Sequence, residues 1–257
     1  MASVRNVFVA VPTRQPFISV NTSSGLLDAI VELGREGIAL SFFNWSGDPL
    51  ISHARNVCLA TFLQTDCTDL LFVDDDVSWA PGSILQLVKH DVDVVAGLYR
   101  HKKDPESYPV NWLDKPQLVA EKGLLEVRDV PFGFTRLSRA CVEKMWEEAK
   151  DRPFRHSSAP DLQCRVIFDN EYVRGEGEDG LFFGEDYVFC RRWRELGGKV
   201  WIDPELALNH LGHKDYKGHI GNWLRGDRNE NVNDPDAIRK AFREVAEALK
   251  DHPAVAA

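Results

Sequence analysis

The sequence predicts an α/β fold, a mostly parallel sheet flanked by helices, on three observations. Strand-length apolar runs alternate with segments of helical period from residue 7 to residue 99, and that rhythm lays successive strands parallel with helices on both faces. A second, shorter hairpin-like pattern follows, which adds a small antiparallel element. Finally, the chain has 257 residues, of which 44% are hydrophobic and 28% charged. That mixture supports a substantial core and excludes disorder, collagen and coiled coil.

The elements follow in order. Val7 to Val11 is a continuous apolar run of strand length closed by Pro12. Thr22, Ser23 and Ser24 offer N-caps for a helix carrying Leu26, Leu27, Ile30 and Leu33, with Gly37 as its stop. Ile38 to Asn44 reads as a second strand, followed by the turn Ser46-Gly47-Asp48-Pro49. Residues 52–64 place Ala54, Val57, Cys58 and Leu59 at helical spacing. Leu70 to Val73 is a third strand that runs into Asp74-Asp75-Asp76. Pro81 suits the first turn of a helix ending near His90, and residues 92–99 form a fourth strand.

The second half changes character. Residues 117–121 and 124–128, joined by Lys122-Gly123, pattern as an antiparallel hairpin. Residues 131–137 form a short strand, and Ser138 caps a helix over 139–150. Residues 151–184 are polar and rich in Gly, Pro and Ser, which predicts a functional loop broken only at 165–168. A helix over 185–196 stops at Gly197-Gly198; strands at 200–202 and 206–209 flank Asp203-Pro204; an amphipathic helix covers 235–250. No repeat or low-complexity linker divides the chain. The expected organisation is one catalytic domain over 1–225, with a nucleotide-binding half (1–100) and an acceptor-binding half (101–225), and a helical extension over 226–257.

Charge and cysteine content narrow the setting. The 31 Lys and Arg against 40 Asp and Glu leave a formal charge of −9, so a nonspecific nucleic-acid footprint is not expected. Basic residues gather only in short runs such as Arg100-His101-Lys102-Lys103. The five cysteines, at 58, 67, 141, 164 and 190, have neither metal spacing nor an even count. With no spanning apolar run and no signal-peptide layout, a reducing cytoplasm is the expected location.

Three clusters could carry chemistry. Asp74, Asp75 and Asp76 repel one another at a strand end, a cost that Mg²⁺ or Mn²⁺ removes by taking hard oxygen ligands. If the extended geometry continues, the side chains at 74 and 76 share a face; the plainer alternative is a solvated turn. Glu185 and Asp186 open a helix after the long loop, where carboxylates also serve the helix dipole. His210 and His213 flank Gly212 after a strand, and a neutral imidazole is a good Mn²⁺ ligand.

Taken in order, these pieces resemble the nucleotide-sugar glycosyltransferases of the GT-A fold, nearest to glycosyltransferase family 2 and its Anp1-like neighbours. The likeness spans roughly residues 5–215: Val9-Ala10-Val11-Pro12-Thr13, Ala54-Arg55-Asn56, the acidic strand end, Gly184-Glu185-Asp186, and the Asp-Pro and histidine beyond. It implies a GT-A, Rossmann-like domain that moves a sugar from a nucleoside-diphosphate sugar, a UDP-sugar, to an acceptor hydroxyl with Mn²⁺ or Mg²⁺. By the resemblance, Asp76 and His210 hold the metal, with His213 as the substitute, and Asp74 is shared between metal and ribose. Pro12, Thr13, Arg14, Arg55 and Asp75 line the nucleotide, and Gly133 approaches the donor sugar. Asp186, with Glu185 beside it, is the general base of an inverting reaction, although the Anp1-like branch retains configuration. The acceptor is left open among glycan, small molecule and modified nucleic-acid base. Asp75 departs from the family, in which many members carry a neutral residue there.

Two rival readings carry their own expectations. Asp74-Asp75-Asp76-Val77-Ser78 also resembles the motif of haloacid-dehalogenase phosphatases, with Asp74 as nucleophile and Asp76 as acid/base, but there the motif opens the fold. A non-catalytic nucleotide-sugar binding protein is the other, because fold alone does not give function.

Overall fold

The computed structural model describes residues 5–113, 118–119, 123–174 and 179–226. The central sheet has eight strands: β1 (Asn6–Thr13), β2 (Ala39–Ser46), β3 (Asp69–Val73), β5 (Val94–Ala96), β6 (Leu118–Val119), β7 (Leu124–Val127), β8 (Phe134–Ser138) and β13 (Val200–Ile202). Their order is β2-β1-β3-β8-β5-β13-β7-β6. β1 pairs in parallel with β2 and β3, and β13 with β5, whereas β8 runs antiparallel between β3 and β5, and β7 runs antiparallel to β13 and β6. Six of the eight strands therefore point one way.

Side-chain alternation on the strands builds two cores. Phe8, Ala10, Leu70 and Phe72 face one layer, and Val7, Val9, Val11, Leu71 and Val73 the other. Helices α2 (Ile51–Leu63), α4 (Arg139–Glu148) and α5 (Glu185–Glu195) cover the first through Phe62, Met145 and Phe189. Helices α1 (Val20–Arg35) and α3 (Ser83–Lys89) cover the second through Leu33 and Ile84. The outcome is a helix–sheet–helix sandwich in which six of the eight strands have their carboxyl ends on one edge.

Several expectations are corrected. Pro81 stands before α3, not in its first turn: the helix begins at Ser83 after Gly82, whose positive φ no L side chain adopts easily. Of residues 92–99 only 94–96 pair as a strand. The stretch over 151–184 is not one irregular loop but holds two hairpins, β9 (Pro153–His156) with β10 (Ala159–Arg165), and β11 (Glu171–Val173) with β12 (Leu181–Phe183). Their strands alternate weakly because they bury little on either side. The sequence reading also missed β4 (Val77–Trp79), β15 (Asp215–His219) and α6 (Ile220–Arg225). β4 and β15 flank β14 (Ala207–Leu211) in a separate antiparallel sheet. The helix expected over 235–250 lies outside the described residues. All five cysteines are buried and unpaired, and no described helix is long and apolar enough to cross a membrane.

Candidate functional site

The acidic run sits at the carboxyl end of β3, where parallel α/β sheets gather ligands. Extended geometry does not continue through it. β3 ends at Val73, and Asp74 to Val77 form a turn closed by Val77 N–H on the Asp74 carbonyl at 3.2 Å. Asp74 and Asp76 consequently address different partners, contrary to the shared face expected of a strand. The turn is pinned from both sides: Asp74 N–H donates to Gly133 O at 2.9 Å, and Ser19 N–H donates to Asp75 O at 2.8 Å.

Asp74 belongs to a buried ionic hub. Arg55, on α2 and 3% exposed, donates from Nη2 to Asp74 Oδ1 at 3.2 Å and from Nη1 to Glu185 Oε1 at 2.5 Å. Burial alone would lower the guanidinium pKa, but the carboxylates of Asp74, Glu185 and Asp186 outweigh it and raise it. Tyr99, which sequence reasoning missed, donates its phenol O–H to Asp74 Oδ2 at 3.2 Å. Gly133 closes this corner, since a Cβ there would lie under 3.0 Å from both Asp74 Oδ2 and Tyr99 Oη. The need is for space and not for a positive φ.

Asp76 turns the other way. Its Oδ2 takes the ammonium of Lys102, and its Oδ1 stands 3.4 Å from His210 Nε2. Pairing of β4 with β14 sets His210 opposite Val77, and Leu211 N–H donates to Asp76 O at 2.8 Å. His210 Nδ1 lies 2.9 Å from Arg100 O. A carbonyl only accepts, so Nδ1 carries a proton; with Nε2 also protonated the ring donates to Asp76, and once Nε2 gives up its proton, as a metal ligand must, its lone pair faces the Asp76 carboxylate. Two acceptors aimed at one point suit a cation. These two residues therefore fit a divalent metal, while Asp74 is committed to Arg55 and Tyr99. His213 lies instead against Tyr216, its Nε2 3.0 Å from the phenol oxygen. Burial raises the Asp76 pKa, but the hydrogen bonds from His210 and Lys102 outweigh it and hold the group below its ordinary value. Asp75 moves oppositely, to about 6, through burial and repulsion by Asp76 and Asp74.

At α5, Gly184 is the N-cap and supplies no side chain. Glu185 is engaged by Arg55, and Asp186 Oδ1 accepts from Tyr187 N–H at 2.8 Å. Burial pushes the Asp186 carboxyl up to about 6; Arg55 opposes the rise and Glu185 adds to it. Pro12 and Thr13 end β1 on the same edge of the sheet, where Asn44 Nδ2 donates to Thr13 Oγ1 at 3.3 Å. Arg14 is exposed just beyond. The site thus has two halves: Arg55 gathers Asp74, Glu185 and Asp186, and Asp76 is held by Lys102 and His210. Tyr99 spans them, its ring 4.6 Å from that of His210. The Lys102 contact had one sequence signal, the basic run at 100–103; the position of Tyr99 had none.

No protein-family model and no curated protein sequence matches the chain. Among solved structures it is similar to A197 from STIV (18% identity, 90% of this chain and 97% of that one, TM-score 0.49). It is also similar to the catalytic domain of Drosophila beta1,4-galactosyltransferase 7 in complex with xylobiose (14% identity, 93% and 80%, TM-score 0.42). A third likeness is to S. aureus TarS residues 1–349 with UDP-GlcNAc (15% identity, 96% and 67%, TM-score 0.40). These are likenesses of fold alone, and this chain's own residues carry the functional reading.

Proposed function

We propose that the chain is a metal-dependent glycosyltransferase that moves a sugar from a UDP-sugar to an acceptor hydroxyl with inversion. The observation that supports it most is the juxtaposition of a cation-ready Asp76–His210 pair with a half-buried carboxylate of raised pKa, Asp186, across one strand-end site. A Mn²⁺ or Mg²⁺ ion held by Asp76 and His210 supplies Lewis-acid stabilisation of the departing diphosphate. With a dication held at Asp76, the Lys102 ammonium, which now pairs with that carboxylate, would be free for phosphate oxygens. Thr13, Arg14 and Arg55 orient the nucleotide, and Asp75 is placed for its ribose or base. Gly133 lets Asp74 and Tyr99 meet against the backbone of the segment that approaches the donor sugar. Asp186 takes the proton of the acceptor hydroxyl as attack proceeds. A carboxyl near pH 6 is still ionised at neutral pH and is a stronger base than an ordinary aspartate. Residues of the insert between α4 and α5 shield the donor from water.

The test is donor-dependent release of nucleoside diphosphate across a panel of nucleotide sugars, with Mn²⁺ or Mg²⁺ and with chelator. Metal-dependent release from a UDP-sugar supports the proposal. Tight UDP-sugar binding with no release under any acceptor points to a binding protein instead.

A further inference from the structure

We infer that Asp48, His53 and His156 form a second metal site, for a borderline-soft dication of the Zn²⁺ class, separate from the Asp76–His210 pair. Asp48 lies in the turn between β2 and α2, His53 in the first turn of α2, and His156 at the end of β9 in the insert. One donor atom from each lies within 4.8 Å of the other two. Asp48 Oδ2 is 2.9 Å from His53 Nδ1 and 3.8 Å from His156 Nε2, and the two imidazoles stack with centroids 4.6 Å apart. Ligands around a tetrahedral Zn²⁺ stand about 3.3–3.5 Å apart, given metal–ligand bonds near 2.1 Å, so the observed spacings bracket that requirement.

Three features mark more than a chance meeting of side chains. The carboxylate is buried and oriented from behind: Trp45 Nε1–H donates to Oδ2 at 3.2 Å and Leu50 N–H to Oδ1 at 3.0 Å. Such outer hydrogen bonds are what hold a ligating carboxylate in place. The ligands come from segments about a hundred residues apart, so a metal here would clip the β9–β10 hairpin to the start of α2. A cavity of about 280 Å³, lined by Trp45, Gly47, Asp48, His156 and Ser158 among others, lies against two of the three ligands and offers room for a water as fourth ligand. Two imidazoles and one carboxylate select Zn²⁺, Co²⁺ or Ni²⁺ over Mg²⁺, which sets this site apart from the oxygen-rich strand end.

Each imidazole binds the metal through a nitrogen that must first be free of its proton. Ser158 N–H donates to His156 Nδ1 at 2.9 Å, which leaves the proton of the neutral ring on Nε2. The metal takes the Nε2 lone pair, the proton moves through solvent to Nδ1, and the exposed Ser158 contact opens. At His53 the metal takes Nδ1 and the proton passes to Nε2.

The experiment is calorimetric titration of Zn²⁺ into the chelator-stripped full chain, free of any histidine tag, as wild type and as Asp76→Asn. Both should bind one Zn²⁺ at the triad. His53→Ala and His156→Ala, made in the Asp76→Asn background, should each weaken that binding at least tenfold, and excess Mg²⁺ should not compete. His156→Gln, which keeps size and polarity, should fail in the same way with an unchanged circular dichroism spectrum. Absence of Zn²⁺ binding by Asp76→Asn, or undiminished affinity in the His156 variants, overturns the assignment.

Discussion

Asp186→Asn separates the proposed base from a helix-end carboxylate, because the two roles move stability in opposite directions. The side chain keeps its shape, and its oxygen can still accept from Tyr187 N–H, but it can no longer take a proton. Burial raises the Asp186 carboxyl from 3.8 to about 6, so the folded chain holds this proton more tightly than the unfolded one. Stability from this group is therefore greatest below pH 4 and falls as the pH climbs to 6. Above pH 7 the full cost of an ionised carboxylate is present. Two pKa units correspond to roughly 3 kcal/mol, an upper bound for a side chain that is partly exposed. The amide carries no such cost. Asp186→Asn should then be more stable than wild type at pH 8, by up to ~3 kcal/mol in urea unfolding, with the gap closing towards pH 4. Turnover should fall about 10²–10⁴-fold while UDP and metal affinity stay near wild type, and the limb of kcat/KM that rises through pH 6 should vanish. A variant about 1 kcal/mol less stable with normal turnover refutes the argument and leaves a helix-end role. Surviving turnover points to retention, to be read from the anomeric configuration of the product by NMR.

Other outcomes follow from the rest of the site. Mn²⁺ with UDP should raise the melting temperature of wild type, by the equivalent of about 2.7 kcal/mol at a hundredfold excess over Kd, and Asp76→Ala should abolish the shift. His210→Ala should weaken metal–nucleotide binding measured by calorimetry far more than His213→Ala, because only His210 faces Asp76; the reverse order would refute the assignment. Gly133→Ala should cost about 1–3 kcal/mol in denaturant unfolding and weaken UDP binding, since its methyl drives into Asp74 and Tyr99.

The fold class was legible because continuous apolar runs at 7–11 and 70–73 can only be buried on both faces, and helical periods lay between them. Strand direction was not. β8 carries the same kind of apolar residues, Phe134 and Leu137, as β3 and β5, which flank it and run the other way, and nothing in a strand's composition records which way it runs. Arg136 in that strand is 1% exposed and answered by the carbonyl of Val92 at 2.6 Å, an arrangement made by a distant turn. The acidic run was legible as a site, but its geometry was not: the turn at Asp74 depends on Gly133 and Ser19, far away in sequence. Glu185 had a ready local explanation as a first-turn acid, which hid its bond to Arg55, 130 residues away.

The charge balance of the site supplies the remaining argument. Among the described residues, Asp74, Asp75, Asp76, Glu185 and Asp186 meet two permanent cations, Arg55 and Lys102, at a partly buried strand end. A fold can answer such an excess by retaining protons or by binding a cation. The raised carboxyls of Asp75 and Asp186 are the first response. The second is prepared at Asp76, whose pKa stays low and whose permanent cationic partner among the described residues is a half-exposed, displaceable lysine, whereas Arg55 is locked into its hub. Burying an ionic hub rarely benefits stability over an apolar core. Retaining one at the carboxyl end of β3, next to a carboxylate whose counter-charge can exchange, makes sense when the exchange is part of the work of the site.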